Sequence, residues 1–233
     1  MKTILVAEDE ESIREFININ LRLAGYDIIE ACDGIQAVEK YNKYASDIDI
    51  AVLDIMMPGC DGVEVCKHIR SRNSNAGIIF LTAKTQEHDK VNALISGADD
   101  YITKPFSTAE LVARVDALYR RVEISNTLLN AAPKDSIVLG DFELDLKKHL
   151  LYKNGNEIEL TQIEYSILEC LFTKPEESVL RSVFVEKVWG GKYSGDDKVV
   201  DVNIRRLRLK VEDDPSNPTH LITVWGKGYT WMI

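Results

Sequence analysis

"AVLDIMMPGCDG", residues 51–62, decides how the first half of the chain folds. An apolar run ends on one carboxylate, Asp54, and Pro58-Gly59 breaks the backbone a few residues later. Apolar character without alternation fits a strand buried on both faces of a parallel sheet. Four further runs share that character: "TILVA" (3–7), "DIIEA" (27–31), "IIFLT" (78–82) and "YIT" (101–103). Helical spacings lie between them. Ile13, Phe16, Ile17 and Leu21 form one stripe, stopped by Gly25; Ala37, Val38 and Tyr41, then Val63, Cys66 and Ile69, then Val91, Leu94 and Ile95, then Leu111, Val115 and Leu118 repeat it. Five strands alternating with five helices predict a doubly wound α/β domain with a five-stranded parallel sheet over residues 1–121.

Residues 122–136 hold no sustained period and contain Ala-Ala-Pro-Lys-Asp, which predicts a linker. An α+β pattern follows over 137–233. "IVLGDFELD" and "HLLYKNGNEIEL" read as short strands, with Asn154-Gly155 as a hairpin turn. Thr161 and Glu164 have capping-box spacing before an amphipathic helix. Helical segments at 182–189 and about 197–211 precede a closing hairpin, "LITVWGKGYTWMI", bent at Gly226-Lys227-Gly228.

The protein has 233 residues and a formal net charge of −10, which excludes a uniformly basic nucleic-acid coat. The average conceals a patch: Lys198 to Lys210 holds five basic residues and one acid. Such a patch is felt over roughly a Debye length, about 8–10 Å. The first apolar run is too short for a signal-peptide core and no stretch is long enough to span a membrane, so a cytoplasmic protein without membrane contact is expected. The four cysteines show no C-x-x-C spacing, which fits reduced thiols.

In open parallel sheets ligands sit at the carboxyl ends of the strands. Glu8 and Asp9 follow the first strand, Asp54 ends the third, Thr82 ends the fourth and Lys104 follows the fifth. Singly, Asp54 reads as a helix-cap acid and Lys104 as a surface ion pair; together they read as a site. Crowded carboxylates repel unless a cation intervenes, and Mg²⁺ prefers oxygen ligands of this kind. Asp54 can then attack phosphorus as a nucleophile, with Lys104 and Thr82 receiving phosphoryl oxygens.

"AEDEE", "LDIMMPGCDG", "FLTA" and "DDYITKPF" resemble the signatures of bacterial response-regulator receiver domains, a flavodoxin-like fold. The resemblance implies phosphate transfer from a sensor histidine kinase onto Asp54, with Glu8, Asp9, Asp54 and the Met56 carbonyl around Mg²⁺, and Thr82 and Lys104 as catalytic and switch groups. Glu8 stands where many members have Asp. Inward movement of Thr82 would vacate space for Tyr101 and reshape the neighbouring face. The same resemblance implies that this face forms a homodimer, through the charges of Lys90, Asp99, Asp100, Glu110 and Arg114 and an apolar centre of Val91, Leu94 and Ala113. Asp116 departs from the family's basic residue, which predicts a weaker dimer.

Over 198–210, Val200, Ile204 and Leu207 share a stripe with Val211, while Lys198, Arg205 and Arg208 lie on or beside the opposite face; Val202 and Leu209 also read as outward. A helix docked by one side with arginines on the other fits a major groove about 12 Å wide, and Asn203 can meet a phosphate or an adenine. The second half resembles the winged helix-turn-helix effector of the OmpR/PhoB transcription factors. That resemblance implies contacts with double-stranded promoter DNA from Lys198, Asn203, Arg205, Arg206 and Arg208, with Thr223 and Lys227 at the wing. Trp225 occupies a usual arginine position.

The expected function is a phosphorylation-controlled transcriptional regulator, not an enzyme, that binds direct-repeat sites; RNA polymerase enters as a further candidate partner. An orphan regulator indifferent to phosphate is one alternative. A Mg²⁺-dependent phosphohydrolase is another, but Met56 stands where such enzymes carry a second aspartate.

Overall fold

The computed structural model describes residues 2–73, 75–83, 96–127, 136–190, 193 and 197–233, with the backbone alone over 121–127. Two compact units emerge, Met1–Val122 and Glu123–Ile233.

In the first unit the elements run β1 (Thr3–Ala7), α1 (Glu11–Leu23), β2 (Asp27–Ala31), α2 (Gly34–Tyr44), β3 (Ile48–Asp54), α3 (Gly62–Arg70), β4 (Gly77–Thr82), β5 (Asp100–Thr103) and α4 (Thr108–Thr127). The strands are all parallel in the order β2-β1-β3-β4-β5, as the apolar runs predict. The order reverses between β1 and β3, which opens a crevice at their carboxyl ends. Every residue of β1 and β4 is buried, whereas Asp27 and Glu30 of the edge strand β2 reach solvent. Ile17, Leu21, Leu111, Val115 and Leu118 bring α1 and α4 onto one face, over Ile4, Val6, Ile50, Val52, Ile79 and Leu81. α2 and α3 cover the other face through Ala37, Tyr41, Val65, Cys66 and Ile69.

Two expectations need adjusting. Phe16 is 40 % exposed rather than in the core, and Asn18 is buried in the stripe instead, its amide donating to Glu30 at 2.8 Å. α4 continues to Thr127, into the expected linker, because no glycine or proline interrupts the sequence before Pro133. The expected helix with Val91, Leu94 and Ile95 lies outside the described residues.

The second unit opens with β6 (Ser136–Leu139), β7 (Phe142–Asp145), β8 (Leu150–Lys153) and β9 (Asn156–Ile158), an antiparallel sheet in sequence order. Asn154 and Gly155 have φ of 52° and 78°, the left-handed pair that a two-residue hairpin turn requires. α5 (Gln162–Phe172) follows, then β10 (Val179–Leu180), α6 (Arg181–Phe184) with a π-turn over Val185–Trp189, α7 (Lys198–Val211), β11 (Leu221–Val224) and β12 (Gly228–Trp231). β10, β12 and β11 form an antiparallel sheet in that order. The Trp231 indole is buried, edge-on to Phe142 at 5.0 Å and tilted against Phe172 at 4.7 Å, so one side chain joins the two sheets to α5.

Glu164 fixes α7 against α5. The capping box forms: the Thr161 N–H donates to Glu164 Oε2 at 2.8 Å and Thr161 Oγ1 accepts from the Glu164 N–H at 3.3 Å. The same carboxylate is fully buried, 3.1 Å from Arg206 Nε and 2.7 Å from Lys210 Nζ. Burial alone would raise its pKa; the charges of Arg206 and Lys210 outweigh burial and hold it below the ordinary 4.5. A carboxylate with a depressed folded pKa stabilises fully above its unfolded value, and that contribution drains as pH falls through the folded one. Glu164→Gln should cost about 3–5 kcal/mol, because it leaves a buried guanidinium uncompensated. Urea denaturation followed by tryptophan emission checks this: the gap between wild type and variant should be widest near neutral pH and shrink below pH ~4.5. A gap that does not change with pH would contradict this role for Glu164.

Candidate functional site

The acidic site is assembled by backbone constraints around the crevice. The β1–α1 loop is held by the Glu8 N–H, which donates to the Ala31 carbonyl at 3.2 Å. Arg14, from the first turns of α1, donates to the carbonyl oxygens of Glu8 and Asp9 at 2.8 and 3.3 Å. Sequence reasoning missed Arg14; its spacing one helical turn beyond the acid pair is the signal that was available. On the β3 side the Ile55 N–H donates to Leu81 and the Gly62 N–H to Ile55, at 3.0 and 3.1 Å. A Cβ at Gly62 would overlap the Asp54 carbonyl oxygen, and one at Gly34 would overlap that of Cys60. The turn after the opening strand can fold back this tightly only with glycine at both places. Asp61 then caps α3, accepting from the Glu64 N–H at 2.8 Å.

Glu8, Asp9 and Asp54 are thereby gathered, each offering a carboxylate oxygen within 4.8 Å of the others. Glu8 is fully buried and Asp54 is 4 % exposed, while Asp9 faces solvent. Lys104 reaches in from the end of β5. Its ammonium donates to Asp54 Oδ2 at 2.8 Å and to Glu8 Oε1 at 2.9 Å; the second Glu8 oxygen lies 2.8 Å away without hydrogen-bond alignment. Burial would lower the Lys104 pKa, but the hydrogen bonds to Asp54 and Glu8 win and hold it above its ordinary value. Burial pushes the Glu8 carboxyl up to about 7; the Asp54 charge adds to that push and Lys104 opposes it. Asp54 Oδ1 also accepts from the Met56 N–H at 3.2 Å.

Thr82 ends β4 in register with Thr103 and is 1 % exposed; the Lys104 N–H donates to its carbonyl at 2.8 Å, and the Lys104-Pro105 bond that follows is cis. Tyr101, expected to swing inward, is already buried at 7 %. Of the charges expected on a dimer face, Asp99 needs correction. It is 2 % exposed and bound within its own unit, to Arg70 at 2.7 Å and to the Ile78 N–H at 2.8 Å. The Arg70 guanidinium and the Ile78 N–H hold its carboxylate inward rather than on an outer face. Asp100 and Arg114 pair with each other at 3.0 Å, and Arg114 also holds Glu110 at 2.8 Å. Ala113 is exposed. Asp116 accepts from the Tyr26 hydroxyl at 2.5 Å. Lys90, Val91 and Leu94 lie outside the described residues.

On α7 the core stripe of Val200, Ile204, Leu207 and Val211 is buried, and Lys198, Arg205 and Leu209 face solvent. Val202, expected outward, is buried at 4 %. Asn203 and Arg206, which the resemblance gives as DNA contacts, turn inward instead. Asn203 is fully buried, donating to the Val199 carbonyl at 2.8 Å and accepting from Arg206 at 3.2 Å; Arg206 is drawn down by Glu164. Arg208 spans to the wing, donating to the Leu221 carbonyl at 2.9 and 2.7 Å and to Thr223 Oγ1 at 2.9 Å. Glu212 completes this junction by accepting from the backbone N–H groups of Thr219, His220 and Leu221. Lys227 stands exposed at the hairpin tip.

A crevice of acids and one amine on a 2-1-3-4-5 sheet, followed by a helix and wing, defines a two-part signalling protein. Residues 4–116 match the family model described as response regulator receiver domain, and 155–231 match that described as transcriptional regulatory protein, C terminal. The chain is 42 % identical over 234 residues to the probable transcriptional regulator ycf27 of Cyanidium caldarium, covering 97 % of this chain and 92 % of that one. It is 40 % identical over 230 residues to the sensory transduction protein RegX3 of Mycolicibacterium smegmatis, covering 98 % of each. The structure of response regulator DrrB, a Thermotoga maritima OmpR/PhoB homolog, superposes with a TM-score of 0.51 at 28 % identity over the whole of both chains. The protein belongs to the two-component response regulators of the OmpR/PhoB type, with a receiver domain and a DNA-binding domain.

The all-oxygen donor set, three carboxylates within 4.8 Å of one another, fits a hard divalent cation such as Mg²⁺ held by Glu8, Asp9 and Asp54. A cation that binds ionised carboxylates competes with the proton on Glu8. Mg²⁺ affinity measured by calorimetry should therefore rise about tenfold between pH 6 and 8. Glu8→Gln should flatten that rise. An equally steep dependence in the variant would assign the proton to another group.

Proposed function

We propose that the chain is a phosphorylation-controlled regulator of transcription that stores a phosphoryl group on Asp54. One observation carries the reading: Asp54, at the open end of β3, has Lys104 2.8 Å from Oδ2 and two further acids grouped beside it. Mg²⁺, when bound, supplies charge neutralisation for an incoming phosphoryl group. Asp54 attacks the phosphorus of a histidine kinase's phosphohistidine, and the bond from that histidine nitrogen breaks as the acyl phosphate forms. Lys104 releases Asp54 Oδ2 and pairs with a phosphoryl oxygen, its excess of positive charge already stabilised by Glu8. Thr82, at the adjacent strand end, donates its hydroxyl to another phosphoryl oxygen and leaves its present position. Tyr101, on the paired strand, follows that movement.

The response at the surface is dimerisation of the receiver. Of the residues this reading assigns to the dimer face, Glu110 and Ala113 lie on α4, and Ala113 is exposed. Two tethered effector units then engage direct-repeat half-sites about one helical turn apart, with avidity replacing strong single-site binding. Lys198 and Arg205 on the outer face of α7, and Lys227 on the wing, are the phosphate- and base-contacting groups this reading favours. Arg208 and Thr223 hold helix and wing in register at the same surface. The Met56 side chain, 60 % exposed two residues after Asp54, offers no general acid for rapid turnover.

Incubation with acetyl phosphate and Mg²⁺ should add the mass of one phosphoryl group to the intact chain, and none to Asp54→Ala. Lys104→Ala should still accept the group but should fail to tighten DNA binding. Rapid, repeated consumption of acetyl phosphate would instead make the chain a phosphohydrolase.

A further inference from the structure

We propose that Trp225 is a DNA contact that enters the minor groove as an uncharged wedge, a contact that rests on the DNA-binding reading above. The indole is 91 % exposed at the tip of the β11–β12 hairpin, the most exposed large apolar side chain among the described residues. It has no ring, cation or hydrogen-bond partner among the described residues. A lone exposed apolar residue is ordinary on a protein surface; its setting here is not.

First, the surroundings suit a polyanion. From Thr219 to Ile233 the chain carries no Asp or Glu, in a protein whose net charge is −10. Lys227, two residues on, is exposed beside the indole. A protein so acidic can approach phosphates closely only through a surface cleared of acids, and the wing is such a surface.

Second, the tip is held at a fixed place. The Lys227 N–H donates to the Val224 carbonyl at 3.0 Å, closing the turn, and Gly226 has φ of +73°. At the base a Cβ on Gly228 would overlap the Val179 carbonyl oxygen, so β12 packs directly on β10. Arg208 ties α7 to β11 through Leu221 and Thr223. The indole is therefore carried by the same rigid piece that presents Arg205, and it need not be ordered on binding.

Third, the shape fits. A flat ring can enter edgewise a minor groove about 6 Å wide and about 7.5 Å deep. Apolar side chains that enter this groove wedge against sugars and base steps. Guanine places an amino group on the groove floor, whereas A·T pairs do not, so an uncharged flat side chain favours A·T steps beneath the wing. A cation at this position would add a phosphate-dependent term to binding; an indole adds a contact that salt does not screen.

The test uses the full-length chain and duplexes that it selects from a random library. Trp189 and Trp231 are 2 % and 0 % exposed, so acrylamide quenching of tryptophan emission reports chiefly on Trp225. Saturation with the selected duplex should abolish the quenchable fraction, and Trp225→Phe should lack that fraction from the start. Trp225→Ala should bind roughly tenfold more weakly with an unchanged slope of affinity against salt. Trp225→Arg should steepen that slope by about one counterion. Library selection with Trp225→Ala should lose A·T enrichment beside the half-site. If the wild type binds while its emission stays fully quenchable, or if Trp225→Ala binds equally well, the wedge is overturned and the DNA reading stands. If the wild type selects no duplex at all, both fall.

Discussion

Everything in the first unit turns on one electrostatic constraint: three carboxyl groups brought together at the ends of β1 and β3 must be met by positive charge. Lys104 meets part of it, with its ammonium within 3 Å of both Glu8 and Asp54. The Glu8 carboxyl is still pushed up to about 7, first by burial and then by the Asp54 charge. A site left short of positive charge in this way favours a divalent cation, and under the proposed function a cation beside Asp54 would make that carboxylate a target for phosphoryl transfer. The folding reason for the constraint is the sheet order. Because strand order reverses between β1 and β3, the loops after them diverge and leave the strand ends open. Gly62 and Gly34 permit the tight backbone that keeps the opening clear.

The second unit solves a different problem with a similar device. In the proposed reading α7 presents basic side chains to a nucleic acid while its other face packs into a small core. Glu164 and Arg206 form a buried ion pair that sets the rotation of α7 about its axis, leaving Arg205 and Lys198 outward. Arg208 and Glu212 then fix the wing relative to the helix. Both units use buried charge for placement, where a purely apolar interface would leave a helix free to slip by a residue.

Much of this was legible in the amino-acid sequence, for stated physical reasons. Continuous apolar runs marked the parallel strands because such strands are covered on both faces. Asn154-Gly155 marked its hairpin because only those residue types tolerate two successive positive φ angles. Thr161 and Glu164 marked the start of α5 by their spacing. The strand-end acids could be grouped because parallel topology places all carboxyl ends on one edge. The inward turn of Asn203, Arg206 and Asp99 was not legible. Each is polar and reads as surface; Arg206 and Asp99 are buried because a partner distant in sequence, Glu164 and Arg70 in turn, neutralises them, and Asn203 because Val199 and Arg206 satisfy its amide. Phe16 shows the converse. Periodicity places it on the apolar stripe, but its side chain is 40 % exposed, with its ring tilted against Phe106 at 6.3 Å.

The central claim is that charge stored on Asp54 governs the grip of α7 and the wing on DNA. Its most direct test is the affinity of the full-length protein for a selected direct-repeat duplex, with and without acetyl phosphate and Mg²⁺, beside Asp54→Ala under the same conditions. Tighter binding by the treated wild type alone, lost when one half-site is scrambled, is the predicted result. Identical affinities in all four samples would contradict the account.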